Sequence, residues 1–152
     1  LYPIHPDYQK RLATYRPFGS PIESPAGIQG KATQFVMILD ALQLRLLEKI
    51  RSDLAGYSVV RSTSPLDNRA IWLEIFAGGI HKGNSCQTLL KKLNINCKEV
   101  AGLGNDYNDI DFLDICAEAY LVANAPVNLQ RHYKLVKSDK EEGFTEFISK
   151  VL

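Results

Sequence analysis

GLGNDYNDIDFLD, Gly102 to Asp114, decides how this chain is read. A short apolar run, KEVAGL, ends in glycines and opens onto Asn105, Asp106, Asn108 and Asp109, after which Ile110 and Leu113 resume at helical spacing. A strand that turns into a helix through an acidic loop belongs to an alternating α/β sheet, where ligands gather at the C-terminal ends of the strands. Asp106, Asp109, Asp111 and Asp114 fall within nine positions. Carboxylates that close repel one another unless a hard cation lies among them, and Mg²⁺ prefers such oxygen ligands. The same acids could simply cap a helix and favour its positive N-terminus. Asp111 and Asp114 fall inside the expected helix, as solvated or capping residues.

Working outward, strands and helices alternate on both sides of this loop. A helix is expected from about Asn84 to Leu93, with Cys86, Leu89, Leu90 and Leu93 on one face. After the loop, the helix near Asn108 turns Ile110, Leu113 and Ala117 inward. AYLVA, a short helix near 127–132, YKLVK and a final helix with Phe144, Phe147, Ile148 and Val151 at i, i+3, i+4 and i+7 complete the order. This alternation implies a parallel sheet covered on both faces. Three strands make a thin parallel sheet, so an edge is expected to be completed by something else.

The first half reads differently. Residues 1–31 are expected to be irregular, because RPFGSPIESPAGIQG carries Pro17, Pro21 and Pro25 with three glycines. QFVMIL then reads as a strand ending at Asp40, a helix N-cap, before a helix with Leu42, Leu46, Leu47, Ile50 and Leu54 on one face. YSVVRS and IWLEIF read as an antiparallel pair joined by the loop TSPLDNR.

A second chemical signal is GGIHKGNS, Gly78 to Ser85. Two glycines lead into Lys82 and Gly83 before a helix, and free amides at a helix start together with one ammonium suit a phosphate group. The GxxxxGK[ST] spacing of a Walker loop is absent, and a lysine in this position can equally be plain surface. His5, His81 and His132 form no ligand set at i+3 or i+4, although His81 adjoins Lys82. Cys86 sits on an apolar face and reads as packing. Arg61 and Arg69, near strand ends, could reach a substrate.

Composition narrows the partners. The 152 residues include 18 Lys and Arg against 17 Asp and Glu, a formal net charge of +1, which gives no general attraction to nucleic acid or an anionic membrane. At 45% hydrophobic residues a true core can form. The three cysteines, Cys86, Cys97 and Cys116, form no CxxC pair and no even set, which fits a reduced, cytoplasmic setting. No apolar run is long enough to span a bilayer, and LYPIHPDYQKRL lacks the regions of a signal peptide. A start at Leu1 is expected of a chain cut or designed from a longer one.

The two motifs, in this order, resemble the third and fourth conserved elements of haloacid dehalogenase-like phosphatases, in particular the Cof-type, subclass IIB branch. LEIFAGGIHKGNSCQTLLKKLNI resembles the segment leading from cap into core, so that Lys82 matches the motif lysine that contacts phosphate and nucleophile. EVAGLGNDYNDIDFLDICAEAYLVANAP resembles the GDxxND loop with its helix, strand and Asn-Ala turn, and Gly104, Asn108 and Asp109 match directly. KSDKEEGFTEFISKVL resembles the usual C-terminal end. Asn105 departs from the pattern, standing where an aspartate is more often the metal ligand, and Asp106 supplies an acid one place later.

The resemblance implies an α/β protein, with residues 1–76 part of an α/β cap and 77–152 the C-terminal half of a Rossmann-like core. It implies a Mg²⁺-dependent phosphomonoester hydrolase working through an aspartyl-phosphate on a small phosphorylated metabolite such as a sugar phosphate. Lys82 would be catalytic, Lys82, Gly83 and Asn108 would hold phosphate, and Asn105, Asp106 and Asp109 would hold the metal. The family's nucleophile motif has no counterpart here; Asp40 in VMILDALQL imitates it without the second aspartate. The chain alone is therefore expected to be inactive and to pair with a missing N-terminal segment or with itself. A non-catalytic Mg²⁺- or phosphate-binding or regulatory module remains the other reading.

Overall fold

A computed structural model describes residues 5–20, 22, 24–28, 30–64 and 70–152. The chain is α/β and divides into two compact units, residues 1–77 and 78–152.

In the first unit, β1 (Phe35–Asp40), β2 (Tyr57–Thr63) and β3 (Ala70–Ala77) form an antiparallel sheet in the order β1-β3-β2. The register sets Leu39 opposite Ile71 and Met37 opposite Leu73, so alternate residues of neighbouring strands share one face. Helix α2 (Leu44–Asp53) lays Leu47 and Ile50 on that face, over a small core of Leu39, Leu47, Ile71 and Leu73. Two expectations change here. Asp40 belongs to the strand, and the cap position is Gln43, whose side chain accepts from the Asp40 amide at 3.0 Å. Leu42 therefore precedes the helix and is almost fully exposed, and Leu46 is exposed too, so of the expected face Leu47 and Ile50 pack on this cluster while Leu54, just past the helix end, is half-buried.

The expectation of an irregular start is overturned by α1 (Pro6–Tyr15). Proline at the first helical position has no amide to leave unpaired, and the His5 side chain accepts from the Asp7 amide at 3.2 Å. Asp7 is buried and accepts from Trp72 Nε1 at 3.2 Å, while Arg11 lies over the Trp72 ring at 4.8 Å. Pro65, Asp67, Asn68 and Arg69, the turn of TSPLDNR and one candidate substrate contact, lie outside the described residues, as does Pro21.

The second unit opens with α3 (Lys82–Leu93), followed by β4 (Ala101–Gly104), α4 (Ile110–Leu113), β5 (Glu118–Val122), α5 (Val127–Gln130), β6 (Lys134–Val136) and α6 (Gly143–Val151). The strands form an all-parallel sheet in the order β4-β5-β6. Leu113, Tyr120, Leu121, Val122, Ala125, Leu129, Val136 and Phe147 make its core. The helix expected after the acidic loop is a single 3₁₀ turn, 107–109, continued by one α turn, so Ala117 falls beyond it and is exposed. Leu89 and Leu93 are exposed on α3, where Gly83, Cys86 and Leu90 take the inner side; Phe144 is exposed while Phe147, Ile148 and Val151 pack. Among the described residues no helix is long and apolar enough to cross a membrane.

Candidate functional site

The acidic loop leaves the C-terminal end of β4, and its geometry depends on Gly104. A Cβ there would stand 2.8 Å from the Asp109 Cβ and 2.9 Å from Leu113 Cδ1. With no side chain in the way, the chain folds back and Asp109 returns over the strand end. Its Oδ2 accepts from the Asn105 amide at 2.8 Å and the Asp106 amide at 3.1 Å. Asp106 answers with its own Oδ1, accepting from the Tyr107 amide at 2.8 Å, so the two aspartates cap the 3₁₀ turn reciprocally. Tyr107 Oη donates to Asn128 Oδ1 at 2.8 Å, tying the loop to α5.

Asp109 is 5% exposed and Asp106 8%. Burying a carboxylate is costly unless charge and hydrogen bonds compensate it. Asp109 meets both conditions: the Lys82 ammonium pairs with its Oδ1, and Lys82 also donates to Asn108 Oδ1 at 3.3 Å. Lys82 is the first residue of α3, and its side chain stays half exposed. The glycine beside it is equally constrained. A Cβ at Gly83 would collide with the Asp111 carbonyl, so the missing side chain lets α3 lie directly on the backbone after the loop. Gly79, at φ +78°, turns the chain just before the helix, and Asn84 Nδ2 donates to its carbonyl at 2.9 Å.

Three residues that the sequence singled out separately are thereby brought together: Lys82, Asn108 and Asp109. Asn105 is exposed beside them, and Asp106 is buried with Oδ1 turned to its own turn. Among the described residues no three His, Cys, Asp or Glu side chains gather as a metal cage. The donors present are nonetheless hard oxygens, two carboxylates and two amides, which suits part of a Mg²⁺ shell.

Asp114 accepts from Tyr133 Oη at 2.8 Å, and burial first, then Asp114 and Asp111, push the Tyr133 phenol well above its ordinary range. That aspartate is structural. Asp40 lies in the first unit, exposed, with His5 Nε2 at 3.4 Å. The sequence presents Asp111 as a solvated or capping residue and His81 without a partner at i+3 or i+4, yet His81 Nδ1 is 3.1 Å from Asp111 Oδ2. The separation of 30 residues hides such a pair from any spacing rule.

Three comparisons bear on this geometry. A protein of Streptococcus pyogenes that carries a provisional phosphatase name is 27% identical over 95 residues, 62% of this chain and 33% of that protein. A solved Streptococcus mutans structure superposes with a TM-score of 0.74 at 22% identity, over 93% of this chain and 54% of the other. A solved subclass IIB sugar phosphatase of the haloacid dehalogenase superfamily superposes with a TM-score of 0.63 at 14% identity, over 77% of this chain and 42% of the other. The chain thus spans about a third of the length of its curated relatives and about half that of the solved ones. The family model of haloacid dehalogenase-like hydrolases matches residues 7–148, and the chain belongs to that family.

Proposed function

We propose that this chain carries the lysine and acidic-loop half of a Mg²⁺-dependent phosphomonoester phosphatase site. The carrying observation is the convergence of Lys82 Nζ on Asp109 and Asn108 at the C-terminal end of a parallel strand. An ammonium held beside a buried carboxylate is oriented before any substrate arrives, so it stabilises charge on phosphoryl oxygens without first having to reorganise. Asp109 fixes that ammonium, Asn108 offers an amide to the same anion, and Gly83 would hold it through its backbone amide in the first turn of α3. Asn105, Asp106 and Asp109 would hold Mg²⁺, which when bound would supply further positive charge to the phosphoryl group. Asn105 lacks the full charge of an aspartate, so the shell is expected to bind more weakly than an all-carboxylate one.

The attacking carboxylate is assigned to no residue of this chain, so the reaction belongs to the whole protein and the chain alone is inactive. A small phosphorylated metabolite of the sugar phosphate kind is the proposed substrate, supported by the sugar phosphatase among the solved relatives. The completing partner is proposed to be a preceding segment or a second copy.

The test is Mg²⁺-dependent phosphate release from an aryl phosphate, by this chain and by the chain extended through its upstream coding sequence. Turnover by the longer form alone, reduced about 10²–10³-fold in Lys82→Ala, is the expected result. Turnover by the short chain that disappears in Asp40→Asn would move the nucleophile to Asp40. Metal or phosphate binding with no turnover in either form would favour the non-catalytic module.

A further inference from the structure

The residue before Lys82 breaks a local rule. His81 occupies the N-cap of α3 in extended backbone, φ −156° and ψ 166°, yet its side chain caps nothing in its own helix. Helix starts favour Ser, Thr, Asp or Asn at this position because their oxygens satisfy the free amides. The imidazole reaches across instead: Nδ1 is buried and stands 3.1 Å from Asp111 Oδ2 without a hydrogen bond between them, so the contact is one of close packing. A departure from local preference with a long-range partner is where a functional constraint is expected.

Three consecutive residues then grip one four-residue stretch. The His81 imidazole meets the Asp111 carboxylate, the Lys82 ammonium meets Asn108 and Asp109, and the Gly83 Cα lies on the Asp111 carbonyl. A lysine ammonium rides on a flexible four-carbon stem, so its position is only as definite as the backbone that carries it. Lys82, half exposed, cannot be fixed by its own packing.

We infer that His81 and Asp111 form a positioning pair that fixes the start of α3 against the acidic loop and so holds Lys82 on Asp109. His81 acts through Lys82 and is a positioning residue. Its bearing on catalysis rests on the phosphatase reading above; the pairing itself does not.

The experiment is amine labelling of the whole chain by reductive methylation, with the rate at each lysine read by mass spectrometry. In His81→Ala, Lys82 is expected to react about threefold faster, while Lys91 and Lys92, exposed on the same helix, keep their rates. Asp111→Ala should give the same increase, and the double variant no more than either single one. An unchanged Lys82 rate in both single variants overturns the proposal, as does a rise shared by Lys91 and Lys92, which marks a general loosening. No turnover enters this readout. If the extended protein proves to be no phosphatase, that reading falls and the pair stands. If turnover depends on Lys82 while its labelling ignores His81, the pair falls alone. In an active extended protein, His81→Ala should lower kcat with KM nearly unchanged, and an equal rise in KM would overturn the positioning role.

Discussion

At Gly104 a missing side chain decides where a carboxylate goes. Alanine there would bring its Cβ within 2.8 Å of the Asp109 Cβ and 2.9 Å of Leu113 Cδ1, and neither neighbour is the loose end of a flexible chain. Gly104→Ala is expected to destabilise the fold by about 1–3 kcal/mol, as overpacking does, visible as a lower urea midpoint with an unchanged slope. The cysteines give a second residue-level prediction. Burial, with smaller contributions from Cys86 and Cys97, pushes the Cys116 thiol up to about 11. At pH 8 its thiolate fraction is then roughly one in a thousand, whereas Cys97 is exposed. Iodoacetamide should modify Cys97 first and Cys116 far more slowly, and peptide mass spectrometry gives the order. Fast modification of Cys116 would mean that it is not packed over Gly102 as the structure has it.

Elements show how much of the fold is legible in the sequence. The start of α3 and the acidic loop are legible because glycine, lysine and clustered acids carry a mechanism at fixed offsets. Helix α1 escapes the reading, although Pro6 at its first position and Asp7 in its first turn are start signals; the prolines from Pro17 onward colour the whole segment. Periodicity finds the helical faces of α3 and α6 but does not say which neighbour covers them, so Leu89, Leu93 and Phe144 are exposed against expectation. The His81 and Asp111 contact is illegible because it depends on how two elements meet.

Helix α1 also carries a pH-dependent attachment. Burial would raise the Asp7 carboxyl, but hydrogen bonds from Ser64 and Trp72, with the charges of His5 and Lys10, outweigh it and hold the group below its ordinary value. A depressed folded-state value contributes stability that is present above the unfolded pKa of about 3.9 and lost as pH falls through the folded one. Fluorescence of Trp72, the one tryptophan, should therefore be constant from neutral pH to about pH 5 and change below about pH 4. In Asp7→Asn that acid step should vanish; if it persists, another carboxylate controls the attachment.

For the molecule as a whole, the two units carry cores of different size. Among the described residues, the first buries Leu39, Leu47, Ala70, Ile71, Trp72 and Leu73; the second buries eight apolar residues, including Leu113, Leu121 and Phe147. Each fully buried large apolar side chain contributes about 1.5–3 kcal/mol, and the first unit's four-residue cluster around Leu73 is smaller than the eight-residue cluster around Leu121 even with Trp72 and Ala70 buried beside it, so its apolar term is the smaller one. Conformational entropy opposes folding in proportion to length, and the units are nearly equal in length, so the smaller core leaves the smaller margin. On heating, residues 1–77 should unfold before residues 78–152. Trp72 lies in the first unit and Tyr120 in the core of the second, which allows the order to be read directly. Tryptophan fluorescence should report a lower midpoint than amide exchange at Leu121, and Leu73→Ala should lower the first midpoint while leaving the second in place. A single midpoint shared by both probes and shifted together by Leu73→Ala would mean that the two cores melt as one cooperative body, and that the size of the separate clusters does not govern stability.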